Sequence, residues 1–340
     1  MLAHVMSPSP ARLFRTAPIG VPEAGMRQRD MQRLMLLVDR LSRVQRQALV
    51  HRLAAQTMAM ESIELVESAG RASRRCPHCA GSHIVRNGMA DELQRYKCRT
   101  CGKSFNALTG TPLARLRHKG KWLGQTQAMA DGLTVHRTAE RLGVAPSTAF
   151  RWRHRFLAVP RELKPQALTG VVEIDETYVL ESFKGRAVVG RKARRRGGSA
   201  ARRGLSREQI PVLVARDRAG TTTDAVLPDS RKTSVVSVLK PLLPCDVVVC
   251  SDGGGAIGQA VKDLGLEHHP VVIASGIHAL GAWHIQNVNA YHGRLKQWLR
   301  RFNGVATAYL ENYLGWFRLM ERTTRTPAQP ARMLSLAIRA

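Results

Sequence analysis

Four cysteines stand as two CxxC pairs, Cys76-Pro-His-Cys79 and Cys98-Arg-Thr-Cys101, with eighteen residues between the pairs. Each CxxC turn aims two thiolates at one point, and two such turns close a tetrahedral sphere around a zinc ion. Four thiolates leave no open position for a water, so this zinc would be scaffolding and not catalyst. Two disulfides or a redox pair would use the same residue types, but neither a secretory signal nor a thioredoxin-like context accompanies them. His78 and His83 read as bystanders, and Cys245 and Cys250, flanking an apolar run, as small core residues.

A second chemistry is offered by two aspartates. In VVEIDETYVL (171–180), strand alternation puts Glu173, Asp175 and Thr177 on one face and Val172, Ile174 and Tyr178 on the other. Asp252 closes the run DVVVCSD and is followed by Gly253, Gly254 and Gly255, so its carboxylate can project from a strand edge into an open site. Aspartates on neighbouring strands can bridge paired divalent cations about 3.5–4 Å apart, which activate an attacking oxygen and stabilise a leaving one in phosphodiester chemistry. Mg²⁺ suits carboxylate and water ligands, and Mn²⁺ is the alternative. From the residues alone, Asp175 also reads as a buried hydrogen-bonding acid and Asp252 as the start of a turn.

The partner follows from charge. Against 25 Asp and Glu stand 53 Lys and Arg, a formal +28 in 340 residues with a pI near 11.2. Such a surface repels itself unless a polyanion neutralises it, which makes nucleic acid the default partner and a membrane surface the weaker one. No apolar run approaches the roughly 20 residues needed to cross a bilayer, so no membrane association is expected. The expected location is cytoplasmic. Residues 1–25 carry Arg12, Arg15 and no acid before Glu23; they read as an overextended or disordered start, with Met26 or Met31 as initiator, or as a transit peptide.

The elements that must position this chemistry divide by texture. Residues 26–66 carry apolar positions at three- and four-residue spacings, the mark of an amphipathic helix or helix pair. Residues 74–110 form the cysteine module, with short strands at 82–86 and 93–97 around Gly88. Residues 115–158 hold a helix-turn-helix: a first helix ends at Gly143 and a second begins at Pro146 and Ser147. Ala139, Leu142, Val144, Ala149 and Trp152 would form its core, leaving Ser147, Thr148, Arg151 and Arg155 outward for groove and phosphates. Pro160 and Pro165 mark a linker over 158–170. Residues 170–320 alternate strands and helices as an α/β domain, interrupted at 183–208 by a loop with ten Lys and Arg, among them Arg194, Arg195 and Arg196. Residues 321–340 read as a tail.

Taken together, VEIDETYVLESFKGR, the Arg-rich insertion, CSDGGGA and HIQNVNAYHGRLKQWLRRFNGVATAYLENYLGW resemble the IS1595 (ISXO2-like) transposases, and the likeness covers most of residues 27–320. The resemblance implies a ribonuclease-H-like fold whose acidic triad cuts DNA and joins its 3′ hydroxyl to a target. It implies double-stranded DNA as partner, both terminal inverted repeats and target, a homo-oligomer that synapses two ends, and a bacterial, nucleoid-associated location. Asp175 and Asp252 are then the first two members, and the usual third glutamate is Asn289, which can offer a carbonyl oxygen but neither charge nor base. Lys296, seven residues on, shares a helix face with Asn289, His292 and Gly293 and would meet a phosphate. Glu311 and Glu176 are the reserves for a third carboxylate. A decayed transposase that binds without cutting, and a zinc-ribbon regulator, are the alternatives.

Overall fold

The computed structural model describes residues 25–72, 75–185, 198, 200–201, 206–272, 279–323 and 330–338. The expected start segment and Arg194, Arg195 and Arg196 fall outside them, apart from Gly25. The chain divides into two units, Met1–Ala55 and Gln56–Ala340. The first holds α1 (Gln28–Asp39), none of whose residues is buried, and the beginning of α2 (Arg43–Ala72). No helix among the described residues is long and apolar enough to cross a membrane.

The second unit opens with a three-stranded antiparallel sheet, β1 (Ile84–Ala90), β2 (Leu93–Cys98) and β3 (Ser104–Phe105). Its hairpin turns at Asp91 and Glu92, both at positive φ, and Gly88 sits in a bulge of β1 where the register shifts. The tip thus lies three residues beyond the glycine that marked it in the sequence, because a two-residue turn of this hand needs positive φ at both positions and here tolerates two acids. Glu67 of α2, itself buried, accepts the Gln94 N–H at 2.7 Å and ties the sheet to the helix.

Three helices follow, α3 (Trp122–Ala130), α4 (Val135–Leu142) and α5 (Pro146–Phe156). Thr134 caps α4, Gly143 ends it in the left-handed conformation, and Pro146 opens α5 at its first turn. Ala139, Ala149 and Trp152 are buried, with Leu142 and Val144 packed beside them. The 158–170 segment is not a free linker. It forms α6 (Ala158–Glu162), buries Pro160 and Leu168, and lies against α10 (Leu310–Thr323). There Gly315 is required, since a Cβ would stand 2.7 Å from the Arg161 Cα.

The α/β domain is a five-stranded sheet in the order β6-β5-β4-β7-β8, with β4 (Val171–Leu180) central, β5 (Gln209–Asp217) and β6 (Thr222–Val226) antiparallel, and β7 (Val248–Ser251) and β8 (Glu267–Pro270) parallel to their neighbours. Val172, Ile174, Leu213 and Ala215 pack under α7 (Lys232–Leu239) and α8 (Gly255–Asp263). Val212 and Val214 face the other way, toward α9 (Gln286–Arg300) and α10. On that side Asp224 of β6 is buried, ion-paired with Arg318 of α10 and accepting the Tyr291 hydroxyl of α9 at 2.7 Å, so one carboxylate joins three elements.

One apolar cluster runs from Val66 and Leu93 through Trp122, Trp152 and Phe156 to α9 and α10. The helix-turn-helix is therefore packed on the α/β domain, not tethered to it. Arg153 of α5 is buried, its guanidinium over the rings of Trp316 and Phe302 and donating to the Leu133 carbonyl at 2.6 Å. The expected tail also contains α11 (Pro330–Ile338), which buries Met333, Leu334, Ala337 and Ile338 against α3, α5 and α6. Cys250 is buried as expected, but Cys245 is exposed, because it lies before β7 and not within the sheet.

Candidate active site

Asp175 lies midway along β4 on the face that looks toward α9, opposite Val214. β7 runs parallel beside it, pairing Val171 with Val248, Val172 with Val249 and Glu173 with Cys250. Asp252 follows the last residue of β7, on the side where the register runs on toward Asp175, and it is near enough for its charge to act on that carboxyl. Gly253 at positive φ turns the chain there, and the Asp252 Oδ1 accepts the Gly254 N–H at 2.8 Å, leaving the carboxylate exposed. Burial first, then the Asp252 charge, pushes the Asp175 carboxyl up to about 6.

The third side of the site is α9. His292 brings its Nδ1 within 3.6 Å of Asp175 Oδ2, with side-chain exposures of 8% and 19%. Asn289, one turn earlier, is exposed, and Lys296, one turn later, is close enough to oppose the upward shift of Asp175. At spacings of three and four residues these side chains share a helix face. Burial, then the Lys296 charge, lowers the His292 imidazole to about 4. Asp175, His292 and Lys296 are thus brought together, with Asp252 beside them. Glu176 is not: it pairs with Leu213, on the opposite face of the sheet, and accepts the Tyr178 hydroxyl at 2.5 Å. Glu311 lies away from the site too, in a small cavity with Arg161, Lys164 and Arg318.

What fixes α9 over β4 is Glu173, which the sequence marked only as a face-mate of Asp175. Its side chain is fully buried. It accepts from Asn287 Nδ2 at 2.7 Å and from the Val288 N–H at 3.0 Å, and meets Arg218 at 3.0 Å and His284 at 3.3 Å. The carboxylate thereby caps the first turn of α9, where a negative charge is favoured. The signal was the second acid two residues before Asp175, but its partners lie 45 to 115 residues away. Glu173→Ala leaves the Asn287 and Val288 amides without their acceptor and removes the carboxylate partner of Arg218, and is expected to cost about 3–5 kcal/mol, read as a lowered denaturant midpoint.

In the cysteine module the four Sγ atoms lie within 4.8 Å of one another, with Cys76–Cys101 and Cys79–Cys98 each at 3.7 Å. The two knuckles are built alike: Ala80 N–H donates to the Cys76 carbonyl at 2.8 Å and Gly102 N–H to the Cys98 carbonyl at 2.9 Å, both donors at positive φ. The Cys101 amide, with help from that of Thr100 and against burial, holds the Cys98 thiol down to about 6. Among the described residues this is the one group of three or more Cys, His, Asp or Glu spaced to hold a metal. Of the outward residues of α5, Ser147, Arg151 and Arg155 are exposed and Thr148 is half-buried.

A helix-turn-helix packed on an α/β domain is the build of a DNA-binding protein. Residues 167–321 match the model of the ISXO2-like transposase domain, and 114–160 that of a homeodomain-like domain. An uncharacterized protein in transposable element ISH50 of Halobacterium salinarum is 30% identical over 266 residues, 75% of this chain and 88% of the relative. The chain belongs to the IS1595-type, ISXO2-like transposase family: it is an insertion-sequence transposase that binds DNA. Two solved structures are also similar. A pre-cleavage Mos1 transpososome has 13% identity over 64% of this chain and 79% of that one, at a TM-score of 0.22. A Mos1 paired-end complex with the left transposon end has 14% identity over 62% and 78%, also at 0.22.

Proposed function

We propose that the protein recognises the terminal inverted repeats of its own element and, with Mg²⁺ or Mn²⁺, cleaves DNA there and joins the freed 3′ hydroxyl to target DNA. The observation that carries this is the closeness of Asp252 to Asp175 at the end of the strand beside β4, near enough for the Asp252 charge to raise the Asp175 carboxyl. The sheet order, with the first aspartate on the central strand, supports a ribonuclease-H-like core. The donors suit hard divalent ions: two carboxylates, and an amide oxygen from Asn289.

Bound divalent ions would activate the attacking oxygen and stabilise the leaving one. Asp175 and Asp252 are the residues that hold them. Asn289 adds an oxygen but cannot take up a proton, and Lys296 meets a phosphate of the bound strand. In cleavage, water forms the new P–O bond and the bond to the 3′ oxygen breaks. In joining, that 3′ hydroxyl attacks a target phosphodiester and one target P–O bond breaks, with no covalent enzyme intermediate. Zinc on Cys76, Cys79, Cys98 and Cys101 is structural, and two ends require at least two copies of the chain.

Ser147, Thr148, Arg151 and Arg155 face the DNA, joined by the insertion's Arg194, Arg195 and Arg196. Arg151→Ala or Arg155→Ala removes one phosphate contact, and each is expected to reduce the slope of log affinity against log salt by about 1, measured by binding titrations across salt. The function itself is tested by incubating the protein with end-labelled terminal repeat DNA and Mg²⁺. Nicking at the element boundary is expected, and binding without metal-dependent nicking overturns the enzymatic reading.

A further inference from the structure

His292 is used by none of the roles above, yet it is the α9 side chain that approaches Asp175, at 3.6 Å. We propose that His292 is a protein ligand to the cation held by Asp175, supplying a nitrogen on the helix face where Asn289 supplies only a carbonyl oxygen. The inference rests on the cation reading of Asp175 and adds a donor to it.

Three observations carry it. The 3.6 Å between His292 Nδ1 and Asp175 Oδ2 is too long for a hydrogen bond. Two ligands of one ion, each bonded at about 2.0–2.2 Å, stand roughly 3.0–3.5 Å apart, so a shift of a few tenths of an ångström would let both atoms hold one cation. The nitrogen that faces Asp175 is also uncommitted: Nδ1 makes no hydrogen bond among the described residues, and the side chain is only 8% exposed. Finally, α9 is not free to carry His292 elsewhere, because Glu173 pins its first turn to β4.

A nitrogen in the donor set moves cation preference from Mg²⁺, which takes carboxylates and water, toward Mn²⁺. The test uses the full-length, zinc-replete protein with duplex DNA, loaded with one equivalent of Mn²⁺ and labelled with ¹⁵N-histidine. Pulsed electron paramagnetic resonance is expected to show histidine nitrogen coupled to the manganese, lost in His292→Gln, with Mn²⁺ affinity at least about tenfold weaker, the lower end of what losing even an outer-shell partner costs. Asp175→Asn separates the two readings. Manganese bound through Asp175 but with no His292-dependent nitrogen coupling overturns the proposal and leaves the carboxylate site standing. Absence of Asp175-dependent manganese overturns both. Should His292→Gln not fold, the labelled wild type against Asp175→Asn decides: a bound ion without histidine nitrogen is contradiction enough.

Discussion

Asp175→Ala and Asp252→Ala are each expected to lower Mg²⁺-dependent nicking of terminal repeat DNA by at least about a thousandfold, the upper range for removing one electrostatic stabiliser of a transition state. Affinity for the repeat is expected to stay within a few-fold of wild type, since the residues we propose to face DNA lie on α5 and in the Arg-rich insertion. Neither carboxylate holds the fold together: Asp175 on β4 accepts its neighbour's amide and Asp252, just past β7, that of Gly254. The raised Asp175 carboxyl gives the effect a pH signature. A protonated carboxyl cannot bind a cation, so divalent-ion affinity and nicking should both fall as pH drops through about 6. Stability moves the other way without metal. The folded-state value lies above the ordinary aspartate value of 3.8, so ionisation costs the fold, and metal-free protein should lose stability as pH rises from about 4 through 6. Asp175→Asn should remove that loss, which thermal melts in chelator would read.

The second large effect concerns zinc. Structural zinc in finger peptides carries about 10–16 kcal/mol of apparent binding free energy, far more than a three-stranded sheet whose third strand has two residues could supply by packing. Cys98→Ser, or a strong chelator, is therefore expected to unfold residues 75–105. Metal analysis should find one zinc per chain, and hydrogen exchange should show protection lost in β1 and β2 on its removal. The damage should spread, because Leu93 of β2 shares a core with Trp122 and Trp152 of the helix-turn-helix, so specific DNA binding is expected to fall as well. A module that stays protected without metal would show that the cysteines are not a zinc site.

Local chemistry was legible in the sequence wherever its cause was local. The CxxC spacing, the Thr134, Gly143 and Pro146 punctuation of the helix-turn-helix and the two faces of β4 each depend on residues within a few positions. Asp252 could be read as an edge acid, but its nearness to Asp175, 77 positions earlier, depends on the β4–β7 pairing. Glu173 shows the same limit, since nothing near it announces Asn287 or Arg218. Pro160 and Pro165 suggested a linker because proline usually interrupts, whereas the contact that orders α6 comes from Gly315, over 150 residues on. The apolar spacing of Met333, Leu334, Ala337 and Ile338 was a helical signal that nearby Pro327 and Pro330 obscured.

We propose that this transposase joins DNA at a site built on Asp175 and Asp252. The proposal is tested most directly by giving the protein a pre-cut terminal repeat with a free 3′ hydroxyl, a supercoiled target plasmid and Mg²⁺ or Mn²⁺. The expected result is repeat DNA covalently joined through its 3′ end to the plasmid, absent in chelator and in Asp175→Ala. Stable repeat binding with no joined product under either cation would contradict it.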